Sequence, residues 1–139
     1  MRQGTPLTNE DRQPWLQAIA DWMDNIIAAD QSAVVTCSAL KRSYREFLLA
    51  DRPAATMMFL MVSKEELESR LLDRPDHFFP KKLLESQLSA LEPPAREERV
   101  EVVLAEGEAV QTAAKVLASL WPYGDVGSEL PAVMLSGIT

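Results

Sequence analysis

The sequence predicts an α/β fold, a parallel sheet flanked by helices, on three observations. Short apolar runs at 33–37, 56–62 and 100–104 alternate with stretches of helical periodicity, the pattern of strands joined through crossover helices. The first two runs are apolar at successive positions, as strands buried on both faces are. The chain has 139 residues, 47% apolar and 25% charged, which suits one globular domain and excludes wholesale disorder or a collagen-like repeat. Three strands are expected, with enough helices to cover both faces. A wholly apolar edge strand invites aggregation, so the sheet reads as part of a larger one.

Taken in order, Gly4-Thr5-Pro6-Leu7 is a turn into a helix, with Thr8 as N-cap and Asp11 three residues on in the capping-box place. Pro14 fits the first turn of the main helix, where a missing N–H costs nothing. Trp15, Leu16, Ile19, Trp22, Met23, Ile26 and Ile27 follow at helical spacing, an amphipathic signal whose apolar face packs inward. Asp30-Gln31-Ser32 ends the helix. Residues 33–37 form the first strand, which runs straight into a basic helix over 38–49. Arg52-Pro53 is a break, and 56–62 is the second strand. Ser63 caps the next helix with Glu66 at the box position, and Leu67, Leu71 and Leu72 form its inner face.

Arg74-Pro75 ends that helix, because a residue before proline avoids the α region. Asp76-His77-Phe78-Phe79-Pro80 is a loop. Residues 81–91 form a helix with Leu84, Leu88 and Leu91 aligned, stopped by Glu92-Pro93-Pro94. Val100–Leu104 is the third strand. Ala109–Leu120 is the last helix, with Val110, Ala113, Ala114 and Leu117 expected inward. The domain is therefore 1–122, followed by an irregular tail at 123–139, where Gly and Ser leave little pattern.

Fourteen basic against twenty-one acidic residues give a net charge of −7, which argues against sequence-independent nucleic-acid binding. The longest strongly apolar run, 57–62, is too short to cross a bilayer, and the first residues lack the apolar stretch of a secretory signal. One cysteine, Cys37, excludes an intrachain disulfide and a Cys-rich zinc site, so a reducing cytoplasm is the expected setting.

Ligands of open α/β sheets sit outside the carboxyl ends of the strands. Cys37-Ser38-Ala39-Leu40-Lys41-Arg42 is such a strand end. With Arg45 one turn on, it offers a hydroxyl, free N–H groups and cations suited to a polyhydroxy acid or a phosphate. The alternative is a helix that caps itself with Ser38 and solvates a basic face. The second candidate runs from Arg70 to Pro80. Arg70 and Arg74 lie one turn apart, and His77, the single histidine, sits in a proline-bounded loop that could close over phosphates. Its alternative is two solvated arginines and a loop histidine. Met57, Met58 and Met61 read as core filling, Trp15 and Trp22 as packing, and Cys37 as a buried thiol. The five glycines build neither G-x-x-x-x-G-K-[ST] nor G-x-G-x-x-G.

Several of these segments resemble a known family. Gly4-Thr5-Pro6-Leu7-Thr8-Asn9-Glu10-Asp11-Arg12 followed by Pro14-Trp15-Leu16 resembles the G-x-P-L-[TN]-[DN]-[ED]-D-R-x-P-W-L segment of gluconokinases. Cys37-Ser38-Ala39-Leu40-Lys41-Arg42-Ser43-Tyr44-Arg45 resembles their C-S-A-L-K-[KR]-x-Y-R motif. Arg70-Leu71 through Arg74, then His77-Phe78-Phe79, resembles their lid, R-L-x-x-R-x-G-H-F. Gln87 and Leu91-Glu92-Pro93-Pro94 resemble the Q-F-x-x-L-E-x-P stretch after it. Order and spacing agree over roughly residues 1 to 120.

The resemblance implies a P-loop-kinase-like fold with sheet order 2-3-1-4-5. It implies transfer of the ATP γ-phosphoryl to the 6-hydroxyl of D-gluconate with Mg²⁺, and, since dimers are common in that family, a homodimer. It makes Arg12, Ser38, Lys41, Arg42 and Arg45 candidates for the sugar-acid side. Arg70, Arg74 and His77 become the lid over ATP phosphates, with Arg74 the catalytic, charge-stabilising member. No metal ligand is assigned in these residues. The family's Walker A loop and the acidic strand after it have no counterpart here, since Met1 matches an internal methionine of the family's K-M-x-x-G. Asp76 replaces the lid glycine, Leu88 the phenylalanine after Gln87, and Leu104 the aspartate of the last strand. The expected strands are therefore the family's third, fourth and fifth, with the central one missing between 33–37 and 56–62. Two functions follow: a gluconokinase incomplete for catalysis in these residues alone, or a non-catalytic relative acting as a binding or partner protein.

Overall fold

Backbone N–H and C=O groups at the inner edges of two separated parallel strands must find partners, and the chain supplies them itself. The computed structural model describes residues 9–72, 81–120 and 132–136. Its elements are α1 (Asn9–Ala28), β1 (Val34–Cys37), α2 (Arg42–Leu49), β2 (Ala55–Met61), α3 (Lys64–Leu72), α4 (Lys81–Ala90), β3 (Val100–Leu104), α5 (Ala109–Leu120) and β4 (Ala132–Ser136). The four strands pair in parallel in the order β1-β4-β2-β3.

Two expectations are corrected by β4. The segment 123–139 is not wholly irregular, and the sheet has four strands where three were expected. Ala132–Ser136 fills the central gap, with Val34 opposite Val133 and Cys37 opposite Ser136 on one side, and Ala55 opposite Ala132 and Phe59 opposite Ser136 on the other. Four apolar residues ahead of Ser-Gly are too short a run to declare a strand by periodicity. The demand for hydrogen-bond partners from β1 and β2 decides their conformation.

One face of the sheet is covered by α1 and α2. Leu16, Ala20 and Met23 of α1 join Cys37, Ala39, Tyr44, Leu48, Leu49 and Met57 in the larger core. Trp15 and Trp22 flank that stripe and stay 45% and 40% exposed, outside the buried core cluster where they were expected to pack. Pro14 is the sixth residue of α1, not in its first turn, because the helix begins at Asn9. On the other face Met58, Val103 and Val116 form a smaller cluster with Leu60 and Leu120.

The inward face of α5 is also corrected. Thr112 and Val116 are buried, whereas Val110 is 68% and Leu117 51% exposed. This helix is apolar almost all round, so periodicity alone cannot set its rotation. A hydrogen bond from Lys115 Nζ to the Leu104 carbonyl (2.9 Å) helps fix it. Burial on both faces holds for β2, where Ala55, Met57, Met58 and Phe59 are buried. It fails for β1, whose Val34 is 62% exposed on an outer edge. Met57 and Met58 fill the core as expected, while Met61, at the end of its strand, is exposed. Ser63 caps α3 by accepting the Glu66 N–H (3.2 Å), also as expected. The Thr8 cap, the Arg74-Pro75 boundary and the loop at 76–80 lie outside the described residues. Among the described residues no helix is long and apolar enough to cross a membrane.

The chain runs from β1 past the central slot to β2 and on to β3, then returns through α5 to β4 between them. This reversal puts a topological switch beside the carboxyl ends of β1 and β4, where open α/β sheets bind ligands.

Candidate functional site

Because all strands are parallel, their carboxyl ends share one end of the sheet. Helix α1 precedes β1 and runs back along it, so its N-terminus lies at that same end. Leu16 belongs to the core cluster that holds Ala39 and Tyr44, and Arg12 sits one turn further along the same helix face. Arg12, Ser38 and Lys41 are thus brought to one end of the molecule.

The turn leaving β1 is sharply shaped. Ala39 has a φ of +34°, a left-handed conformation that a side chain other than glycine resists. Helix α2 consequently starts at Arg42, later than expected, with Lys41 extended at the N-cap and no side-chain capping bond there. Ser38 is therefore not the cap. Glu92, fifty residues on, does that work: its Oε2 accepts the Arg42 N–H at 2.8 Å. The Glu92 N–H in turn donates to the Leu40 carbonyl at 2.8 Å. A carboxylate at a helix N-terminus is favoured by both the open N–H groups and the helix dipole.

Arg45 is buried, at 0% exposure. Its Nε and Nη2 fork onto Glu98 Oε2 and Oε1 at 2.7 and 3.0 Å, and its Nη1 donates to the carbonyls of Ala39 and Leu40 at 3.3 Å each. The Glu98 side chain is only 3% exposed and also accepts the Ala95 N–H at 2.8 Å. The hydrogen bond from Arg45 holds the Glu98 carboxyl below the usual carboxylate range, against the opposing effect of burial. Arg42 reaches outward: Nε meets Glu46 at 2.7 Å and Nη1 meets Glu97 at 2.8 Å. Those hydrogen bonds raise the Arg42 guanidinium above its ordinary value. Arg42 borders a groove of about 260 Å³ along α2, which Arg99 and Val100 also line.

Of the cations expected on the sugar-acid side, Arg45 therefore presents no surface to a ligand; the sequence placed it one turn along α2 but could not show that the turn folds over it. Lys41 projects its ammonium to 5.9 Å from the centre of the Tyr44 ring, within the range of a cation–π contact. Arg70 does not stand clear over the strand ends. Its Nε meets Glu66 at 2.8 Å, and its Nη2 donates to the carbonyls of Ala105 and Gly107 at 3.1 and 2.9 Å. It ties α3 to the loop between β3 and α5. Arg74, Asp76 and His77 lie outside the described residues.

Cys37 is buried, and burial pushes its thiol up, as an inert core thiol would behave. Gln87 keeps a buried Oε1 without a hydrogen-bond partner among the described residues. Sequence reasoning missed Glu92 and Glu98. The first was legible only as a helix stop beside two prolines, and the second only as one member of a charged run. Among the described residues no three His, Cys, Asp or Glu side chains gather as a metal-holding group.

No family model matches the chain. It is 37% identical over 138 residues to a probable gluconokinase of Rattus norvegicus, an alignment covering 86% of this chain and 75% of that one. The chain belongs to the gluconokinase family. A gluconokinase of Gluconobacter oxydans (strain 621H) is 47% identical over 100 residues, which are 72% of this chain and 56% of that protein. The chain thus spans a little over half the length of that relative. Among solved structures, a gluconokinase from Sinorhizobium meliloti 1021 superposes with a TM-score of 0.73 at 39% identity, over 85% of this chain and 66% of that one. A sugar kinase from Janibacter sp. HTCC2649 gives 0.79 at 37% identity, over 93% and 75%. These neighbours support the P-loop-kinase-like α/β fold expected from the motifs, here with a truncated sheet. Within this gluconokinase-family chain, the Cys37–Arg45 motif is the segment that the β1 strand end and the two glutamates hold in place.

Proposed function

We propose that these residues supply the sugar-acid side of a gluconokinase, a cytoplasmic enzyme that transfers a phosphoryl group from ATP to the 6-hydroxyl of D-gluconate. What supports this is placement: Ser38 and Lys41 lie in the turn that leaves the carboxyl end of β1 beside the central strand, and Arg12 lies one turn ahead of the buried Leu16 on α1. A polyhydroxy carboxylate needs a cation for its charge and short-range donors and acceptors for its hydroxyls. Lys41 offers a compact point charge, Ser38 a hydroxyl, and Arg12 a second cation. Arg42 stands at the flank of this group, and Arg45 beneath it.

Arg74 and His77 are proposed for the phosphate side, with Arg74 meeting phosphate charge, while Arg70 braces the base of that segment through Glu66 and the carbonyls of Ala105 and Gly107. The described residues do not themselves fit ATP and Mg²⁺: no glycine-rich cradle occurs in the sequence, and no acidic group of three is assembled. A homodimer belongs to the same proposal, and sedimentation would read it as a doubled mass.

Calorimetric titration tests the sugar-acid assignment. Gluconate is expected to bind where glucose, which lacks the carboxylate, does not. Lys41→Ala should weaken gluconate by at least about tenfold, the equivalent of one modest charged contact. Equal binding of glucose, or unchanged affinity in Lys41→Ala, would refute it. A second reading, a relative that binds sugar acid without transferring phosphate, is favoured by β4. That strand occupies the central slot that the family resemblance gives to the strand ahead of the phosphate loop. Neither reading expects ADP release from these residues alone. Joining the Walker A segment of a gluconokinase relative ahead of the chain separates the two: ADP release with ATP, Mg²⁺ and gluconate above a gluconate-free control supports the incomplete kinase, and none supports the binding protein.

A further inference from the structure

One distant segment, residues 92–98, holds the Ser38–Lys41 turn at several of its polar groups. Glu92 binds the turn twice through its own backbone and side chain, at the Leu40 carbonyl and the Arg42 N–H. Glu98 binds it through Arg45, whose third nitrogen holds the carbonyls of Ala39 and Leu40. Pro93 and Pro94 stand between the two glutamates, and their fixed φ stiffens the span that separates them.

A buried ion pair is a weak source of net stability, since desolvation offsets much of its attraction, and apolar residues of like volume can often replace it without loss. A guanidinium fork on a carboxylate supplies something that apolar packing does not: a fixed plane and fixed directions. Here that plane is aimed at the two carbonyls which a left-handed Ala39 turns inward. Binding groups must be held to within a fraction of an ångström by their supporting residues, and small misplacements cost large factors in function.

We infer that Glu98, acting through Arg45, is a positioning residue for the sugar-acid turn: the pair sets where Ser38 and Lys41 stand and does not touch the ligand. The ligand part of this inference rests on the proposed function above. The positioning part does not.

The test uses the 139-residue chain with Glu98→Gln, which keeps the shape and turns an acceptor into a donor facing Arg45, and with Arg45→Lys, which keeps the charge and removes the fork. Should the first fail to fold, the second carries the experiment. Amide hydrogen exchange is followed at Arg42, Tyr44 and Arg45, the first turn of α2, and at Met57, Met58 and Phe59 in β2. Gluconate titration is followed in the same samples. Exchange in the first turn of α2 should rise by at least about tenfold while β2 stays protected, the mark of a local opening. Gluconate should bind at least about tenfold more weakly. Exchange that rises equally in β2 would make the pair a general staple and overturn the inference, as would unchanged exchange at the turn. So would wild-type gluconate affinity in a variant whose turn has loosened. If the unaltered chain binds no gluconate while the turn alone loosens, the sugar-acid reading fails and the positioning role stands.

Discussion

Glu98 is the buried carboxylate onto which Arg45 forks beneath the Ser38–Lys41 turn. Its carboxyl is held below the ordinary glutamate range, first by the hydrogen bond from Arg45. A depressed carboxyl contributes stability that is full above its unfolded-state value, about 4.3 for glutamate, and that is lost as pH falls through the lower folded value. Stability should therefore drop on acidification below that range, and Glu98→Gln should flatten that part of the drop, measured by urea melts from neutral pH downward. At neutral pH, Glu98→Ala should cost about 3–5 kcal/mol, because it leaves the Arg45 charge buried and unpaired. A loss of less than about 1 kcal/mol, the range of exposed ion pairs, would show that the pair is solvated. None of this was legible in the sequence. The motif Cys37-Ser38-Ala39-Leu40-Lys41-Arg42-Ser43-Tyr44-Arg45 marked the right segment, but which of its cations face solvent depends on carboxylates some fifty residues away.

At the scale of elements, local signals served well where one apolar stripe was dominant and poorly where it was not. The bounds of β3 and α5 were legible in a short apolar run and in helical periodicity, and the Ser63–Glu66 cap of α3 in its residue pattern. The rotation of α5 did not, because Ala and Val occur on every side of it. Val116→Ala should cost on the order of 1–2 kcal/mol as a buried truncation, whereas Val110→Ala should stay within about 0.5 kcal/mol. Denaturant midpoints of the two variants check this. The opposite ranking would restore the rotation expected from sequence. On the opposite edge, β1 shows why a run of apolar residues does not prove burial. Val34 lies on an outer strand and stays exposed.

For the molecule as a whole, the gap in the middle of the sheet is filled by a strand that arrives last in sequence. Its neighbours β1 and β2 need it on both sides, a long-range pairing that no local window reveals. A chain ending at residue 131 would leave both inner edges without partners. Each buried N–H or C=O so stranded costs about 1–3 kcal/mol, and a few of these equal the roughly 5–15 kcal/mol that holds a whole domain together. That shortened chain should lose its cooperative urea transition and associate, read by circular dichroism and sedimentation. An unchanged, sharp transition would mean that β1 and β2 do not depend on β4.

The sugar-acid site at the end of β1 is the central claim, and backbone amide shifts of the ¹⁵N-labelled chain titrated with gluconate test it most directly. The largest shifts are expected at Arg12, Ser38 and Lys41, with glucose leaving those amides in place. Saturable shifts confined to the groove at Arg42, Arg99 and Val100, or equal shifts with glucose, would contradict it.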